Sequence, residues 1–66
     1  MSLRKGQLYR RSDGYVFRVE SASRKAPGAF MQCVDATQVF GWFDAEKIKR
    51  DFVRAPEGSV TEHVVR

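Results

Sequence analysis

Tyr15–Ser21, YVFRVES, is the stretch whose reading decides the fold. Tyr15, Phe17 and Val19 alternate with Val16, Arg18 and Glu20, which is the period of two that a β-strand imposes on its side chains. Immediately upstream, Arg11-Ser12-Asp13-Gly14 carries turn chemistry. The Asp13 carboxylate can bond its own backbone and the residue tolerates a positive φ, while Gly14 takes a positive φ without steric cost. A strand at Gln7–Arg10 therefore pairs with the central one as a hairpin, with Leu8 and Tyr9 on opposite faces. Met1 to Gly6 is a polar, basic lead-in containing Arg4 and Lys5.

Downstream of Ser21, Ala22-Ser23-Arg24-Lys25-Ala26-Pro27-Gly28 is small, basic and ends in a Pro-Gly turn signal. Seven residues exceed a tight hairpin, so a projecting loop is expected, and such loops often carry function. A third strand, Ala29–Asp35, sets Phe30, Gln32 and Val34 on one face and Met31 and Cys33 on the other. After a short turn at Ala36-Thr37, the fourth strand, Gln38–Phe43, sets Val39, Gly41 and Phe43 opposite Phe40 and Trp42. Gly41 between large aromatics suggests a bulge or sharp bend.

Asp44–Arg50 is the one helical stretch, with Asp44 as N-cap, Glu46 near the start and Lys49 and Arg50 near the end, as the helix dipole favours. Ile48 and Phe52, four apart, would share a helix face. The same residues also fit a single helical turn followed by a last strand over Ile48–Val53, and periodicity does not decide between them. Residues 1–54 thus form the expected domain, and 55–66 a mobile tail in which Val60, Val64 and Val65 could form an edge strand or dock on a partner.

Sixty-six residues are one domain with a small core, burying about 60% of the surface the unfolded chain exposes. Cys33 is the only cysteine, so no internal disulfide can make up the difference and a reducing compartment is the natural one. One cysteine and one histidine, His63, do not build a structural zinc site. Stability must come from the eight aromatics, from self-association, or from both. No apolar run is long enough to span a membrane and MSLRKGQ has no apolar signal core, so a cytoplasmic location is expected. The net charge of +4, from twelve basic and eight acidic residues, favours polyanionic partners and also serves solubility.

Four to five short strands with one helical turn near residues 44–50 make an all-β, small, curled antiparallel barrel. The segments Gly6-Gln7-Leu8-Tyr9, Gly14-Tyr15-Val16-Phe17-Arg18-Val19 and Gly41-Trp42-Phe43, followed by Ile48 and Phe52, resemble the SH3-like barrels of many small bacterial, plasmid and phage proteins. In particular they are similar to a bacterial family with a Gly-x-x-Tyr, Gly-x-x-Tyr/Phe-x-Val beginning and a Trp-containing last hairpin, over roughly residues 6 to 54. The resemblance implies a fold and a binding role toward peptides, RNA, DNA or proteins, with enzymatic activity rare. The acidic loop and paired tyrosines of peptide-binding eukaryotic SH3 domains are missing.

No catalytic set emerges. Cys33 lies mid-strand among apolar neighbours and reads as a small buried hydrophobe; His63 reads as an exposed imidazole in the tail. Asp13, Asp35 and Asp44 sit at turns or caps, and the five glycines are scattered without forming a phosphate loop. The expectation is therefore a non-enzymatic module with no cofactor, no metal and no small-molecule substrate. Its leading partner is nucleic acid, DNA or RNA, bound as an accessory or regulatory protein through Arg10, Arg11, Arg18, Arg24 and Lys25. Trp42 is the foremost stacking residue, with Phe40 and Tyr9 as further candidates. The competing reading is a protein-interaction module, its partner another protein or a second copy of the chain, that uses an outward Phe40/Trp42 patch and an edge strand.

Overall fold

The Asp13-Gly14 turn forms as its residue types demand. In the computed structural model, which describes residues 3–61, Gly14 adopts φ 97°. Its amide donates to the Arg11 carbonyl at 2.9 Å, and the Arg11 amide donates to the Tyr15 carbonyl at 2.8 Å. That is a three-residue hairpin loop closed by a left-handed glycine. Asp13 keeps a negative φ and contributes its carboxylate instead, Oδ1 accepting from the Tyr15 amide at 3.2 Å.

Around this hairpin the described residues form β1 (Leu8–Arg11), β2 (Val16–Ser23), β3 (Gly28–Cys33), β4 (Phe40–Asp44), α1 (Ala45–Asp51) and β5 (Phe52–Ala55). The strands make one antiparallel sheet in the order β4-β3-β2-β1-β5, curled into a half-barrel. The fold class is the all-β, curled antiparallel architecture expected from the strand pattern.

Three local expectations are corrected. The predicted seven-residue loop is four residues, Arg24–Pro27, because the ladder continues through Ala22↔Ala29 and Ser23↔Gly28, whose small side chains leave nothing to obstruct it. The irregularity expected at Gly41 is absent; β4 stays in register, Gly41 opposite Met31, and the sheet instead shifts register at Glu20, between Val19 and Ser21. That extra residue reverses the alternation of β2, so Ser21 joins the outer face opposite Phe30 while Ala22 turns inward opposite Ala29. The two readings of residues 44–53 are each half right: a helix over Ala45–Asp51 runs directly into a strand starting at Phe52.

The junction is sharp because both helix ends are satisfied. Asp44 Oδ1 accepts from the Lys47 amide at 2.8 Å, Glu46 occupies the first turn, and Lys49 and Arg50 occupy the last. At the other end Phe52, already extended at φ −120°, donates its amide to the Ile48 carbonyl. Asp44→Ala removes the cap and is expected to cost about 1 kcal/mol, read as a lower midpoint with unchanged slope in urea unfolding.

The inner face of the half-barrel holds the core: Tyr9, Phe17, Val19, Ala29, Met31 and Cys33 from the sheet, closed by Ile48 from α1 and by Phe52. Phe17, Phe43 and Phe52 form a ring of edge-to-face contacts with centroids 5.1–5.7 Å apart. A smaller cluster on the outer face joins Leu8, Val16 and Ala55, with Val34 against them. Beside it Thr61 is buried: its Oγ1 accepts from the Val16 amide at 3.1 Å, and its own amide donates to Asp35 Oδ2 at 3.1 Å. Val16, placed on the outer face by alternation, is thus wholly buried. His63, Val64 and Val65 lie outside the described residues.

Candidate nucleic-acid interface

Two lines of side chains cross the outer face of β2, β3 and β4. In one, Arg18 faces Gln32 and Gln32 faces Phe40; in the next, Ser21 faces Phe30 and Phe30 faces Trp42. The result is an outward cluster of three aromatics. Phe30 is 37% exposed, Phe40 57% and Trp42 46%. The Phe30 and Phe40 rings lie 5.9 Å apart at an interplanar angle of 39°. Large aromatics in water are costly in a domain with so small a core, so this cluster is the most informative feature of the surface.

The supports of this face are specific. Gln32 Nε2 lies 3.1–3.3 Å from the carbonyls of Cys33, Ala36, Thr37 and Val39, sharing its two hydrogens among them and tying the β3–β4 loop to the strand beneath. Gly28 seats the Trp42 ring. A Cβ at residue 28 would fall 2.8 Å from Trp42 Cζ2 and 2.5 Å from the Phe43 carbonyl oxygen. The first neighbour is a side chain that can swing; the second is backbone of the adjoining strand, which cannot yield without loosening the β3–β4 ladder. Gly28→Ala is therefore expected to destabilise by roughly 1–3 kcal/mol through overpacking. It should also move the indole, visible as a changed Trp42 emission maximum in the folded variant.

The cations predicted to act together are distributed along the sheet. Arg24 and Lys25 are exposed in the loop that joins β2 to β3. Arg18 sits mid-strand beside the aromatics, its Nε 3.1 Å from Glu20 Oε2. Arg10 shares the outer face with Arg18, as expected, opposite Val16 and Val53. It lies seven residues of β2 from the Arg24–Lys25 end, roughly 23 Å at the rise of a strand. Arg11 takes the other face. Its guanidinium lies 4.8 Å from the Phe17 ring centroid and 5.5 Å from that of Tyr15, and it pairs with Asp13 at 2.7 Å. The hydrogen bond from Arg11 holds the Asp13 carboxyl below its ordinary pKa. Arg11 is in these contacts a brace of the first hairpin. The structure thus brings Arg18, Arg24 and Lys25 to the half of the sheet that carries Trp42, and leaves Arg10 and Arg11 at its far end.

Of the expected stacking residues, Phe40 and Trp42 are outward and Tyr9 is not. Tyr9 is 5% exposed in the core, because its partner in the ladder is Phe17 and both face inward. Phe30 was missed. Its signal was present in the alternation that set it with Gln32 and Val34, but only the register, Phe30 opposite Trp42, shows that the two strands contribute to one patch. Cys33 is buried, its Sγ 3.4 Å from Asp35 Oδ1 and 3.6 Å from Thr61 Oγ1. Among the described residues, no group of three or more His, Cys, Asp or Glu side chains stands close enough to hold a metal ion, and no helix is long and apolar enough to cross a membrane.

Fold and surface together define a small curled β half-barrel, compatible with the SH3-like class, that presents aromatics on its sheet face. Comparison of the chain with protein-family models, curated proteins and solved structures finds no match.

Proposed function

We propose that the protein is a non-enzymatic nucleic-acid-binding module of the SH3-like barrel type found in small bacterial, plasmid and phage proteins, acting in the cytoplasm as an accessory or regulatory factor. The observation that carries this reading is the outward set Phe30, Phe40 and Trp42 on β3 and β4, with Arg18 in the adjoining line and Arg24 and Lys25 at the end of the same strands. Rings standing out of a sheet offer faces on which unpaired bases stack, and neighbouring cations take the phosphates. A duplex keeps its base faces inside the stack, so the surface favours single strands. The net charge of +4 adds a general attraction.

The second reading, a protein-interaction module, is favoured by one feature of the same surface: among the described residues β4, which carries Phe40 and Trp42, is a terminal strand of the sheet with no strand paired to its outer edge. The two are separated by titrating isotopically labelled protein with short single- and double-stranded DNA and RNA, and following its amides at low and moderate salt. Shifts centred on Phe30, Phe40, Trp42, Arg18 and Arg24–Lys25, produced by single strands and weakening steeply with salt, are expected. An unchanged spectrum at low salt defeats the nucleic-acid reading and leaves the aromatic patch as a protein-binding face.

A further inference from the structure

Two clefts open along the rim of the half-barrel and share one wall. The first, about 430 Å³, lies between Arg4 and Arg24, with Ser23, Pro27, Gly28 and Ala45 in its lining. The second, about 410 Å³, continues from Arg4 past Lys5 to Arg54, with Glu57 as the one carboxylate in its lining. Arg4 belongs to both. Among the described residues none of Arg4, Lys5, Arg24 and Arg54 forms an ion pair. Arg11, Arg18, Lys47 and Arg50 each have a carboxylate partner at 2.7–3.6 Å, and of these Arg18 alone adjoins the aromatic face. Uncompensated guanidinium groups facing concave surface are suited to phosphate, which they grip through paired N–H donors.

The clefts also adjoin the stacking face. Gly28, in the wall of the first, is the residue on which the Trp42 ring is seated. Gly28 therefore borders both the Trp42 ring and the cleft between Arg4 and Arg24.

We infer that the phosphate track of this protein runs along the rim, through Arg24, Arg4, Lys5 and Arg54, and binds the backbone of a single strand whose bases stack on the Trp42 face. This rests on the nucleic-acid reading above and replaces the Arg10–Arg11 end of the path expected from sequence. The lead-in residues Arg4 and Lys5, which strand periodicity leaves without a role, become its centre.

The test is a fluorescence-anisotropy titration of the full chain with a labelled twelve-nucleotide oligothymidylate between 50 and 200 mM salt. Each phosphate contact on a single strand contributes about 0.7 to the slope of log K against log salt. Arg4→Ala and Arg24→Ala are each expected to lower the slope by that amount and to weaken binding roughly fivefold to tenfold at 50 mM salt. Arg4→Lys should retain the slope, and Arg50→Ala, on the outer side of α1, should leave it unchanged. The side chains of Arg4 and Arg24 are exposed, so the variants are expected to keep the wild-type amide spectrum away from the substituted residues. If wild type binds but Arg4→Ala and Arg24→Ala keep its slope, or Arg50→Ala lowers it equally, the rim track is wrong while the nucleic-acid reading stands. If wild type does not bind at 50 mM salt, both fall together.

Discussion

Phe17→Ala is expected to destabilise the protein severely, with a urea midpoint far below that of wild type. Phe17 has no exposed surface and lies at the centre of the inner face, edge-to-face with Phe43 at 5.6 Å and Phe52 at 5.7 Å. Truncating a buried phenylalanine costs about 3–5 kcal/mol, the lost transfer energy plus the cavity. The surroundings here have little freedom to collapse into the void. Phe43 belongs to β4 and Phe52 to the α1–β5 junction, each held by its own hydrogen bonds. The Arg11 guanidinium, stacked 4.8 Å from the ring, loses its apolar support as well. A domain of 66 residues has roughly 3–10 kcal/mol to lose, so the substitution removes about a third of it or more. Urea unfolding of wild type and variant checks this. A folded variant with a midpoint close to wild type would mean that the three-ring cluster is not the centre of the core.

Trp42→Ala is expected to have the opposite profile, a modest loss of stability with a large loss of binding. The indole is 46% exposed, with its Cζ2 edge against Gly28, so its removal should cost about 1–2 kcal/mol, below the full cost of a buried aromatic. Stacking of a base on an exposed aromatic contributes about 1–3 kcal/mol, equivalent to a fivefold to 150-fold weaker Kd. Anisotropy titration with single-stranded oligonucleotide, beside a urea curve on the same sample, separates the two quantities. Affinity unchanged in a folded Trp42→Ala variant would exclude the ring as a stacking platform. Because stacking carries no charge, the salt slope should stay at its wild-type value, which distinguishes this residue from the rim cations.

The strand pattern was legible because each element states itself locally. Asp13-Gly14 specifies its turn through one glycine's positive φ and one carboxylate, and YVFRVES specifies a strand through alternation. Asp44 specifies a helix start through a single side-chain acceptor. The division of β3 and β4 into two faces followed from the same period of two, whereas which face turns outward is decided by the packing of the sheet. Reading failed where neighbours decide. The bulge at Glu20 has no glycine or proline to announce it; it exists because β3 pairs with both halves of β2 across a curl in the sheet. The length of the β2–β3 loop depended on whether Ala22 and Ser23 found partners in Ala29 and Gly28, which no local propensity encodes. Tyr9, an amphipathic residue by type, was placed on the core side by its partner Phe17.

The candidate site divides along the same line. That Phe40 and Trp42 share a face, and that Arg24 and Lys25 stand in a loop, are properties of the sequence alone, since both follow from spacing over a few residues. That Phe30 joins the aromatic patch and that Arg11 is held against Phe17 and Asp13 are properties of the tertiary structure. So is the presence of Arg4, Arg24 and Arg54 on one rim. The physical reason is that strand periodicity determines which way a side chain points, whereas register and sheet order determine what it points beside. Residues fifty apart in the chain become neighbours only when β5 pairs with β1 and Leu3 of the lead-in packs against the core.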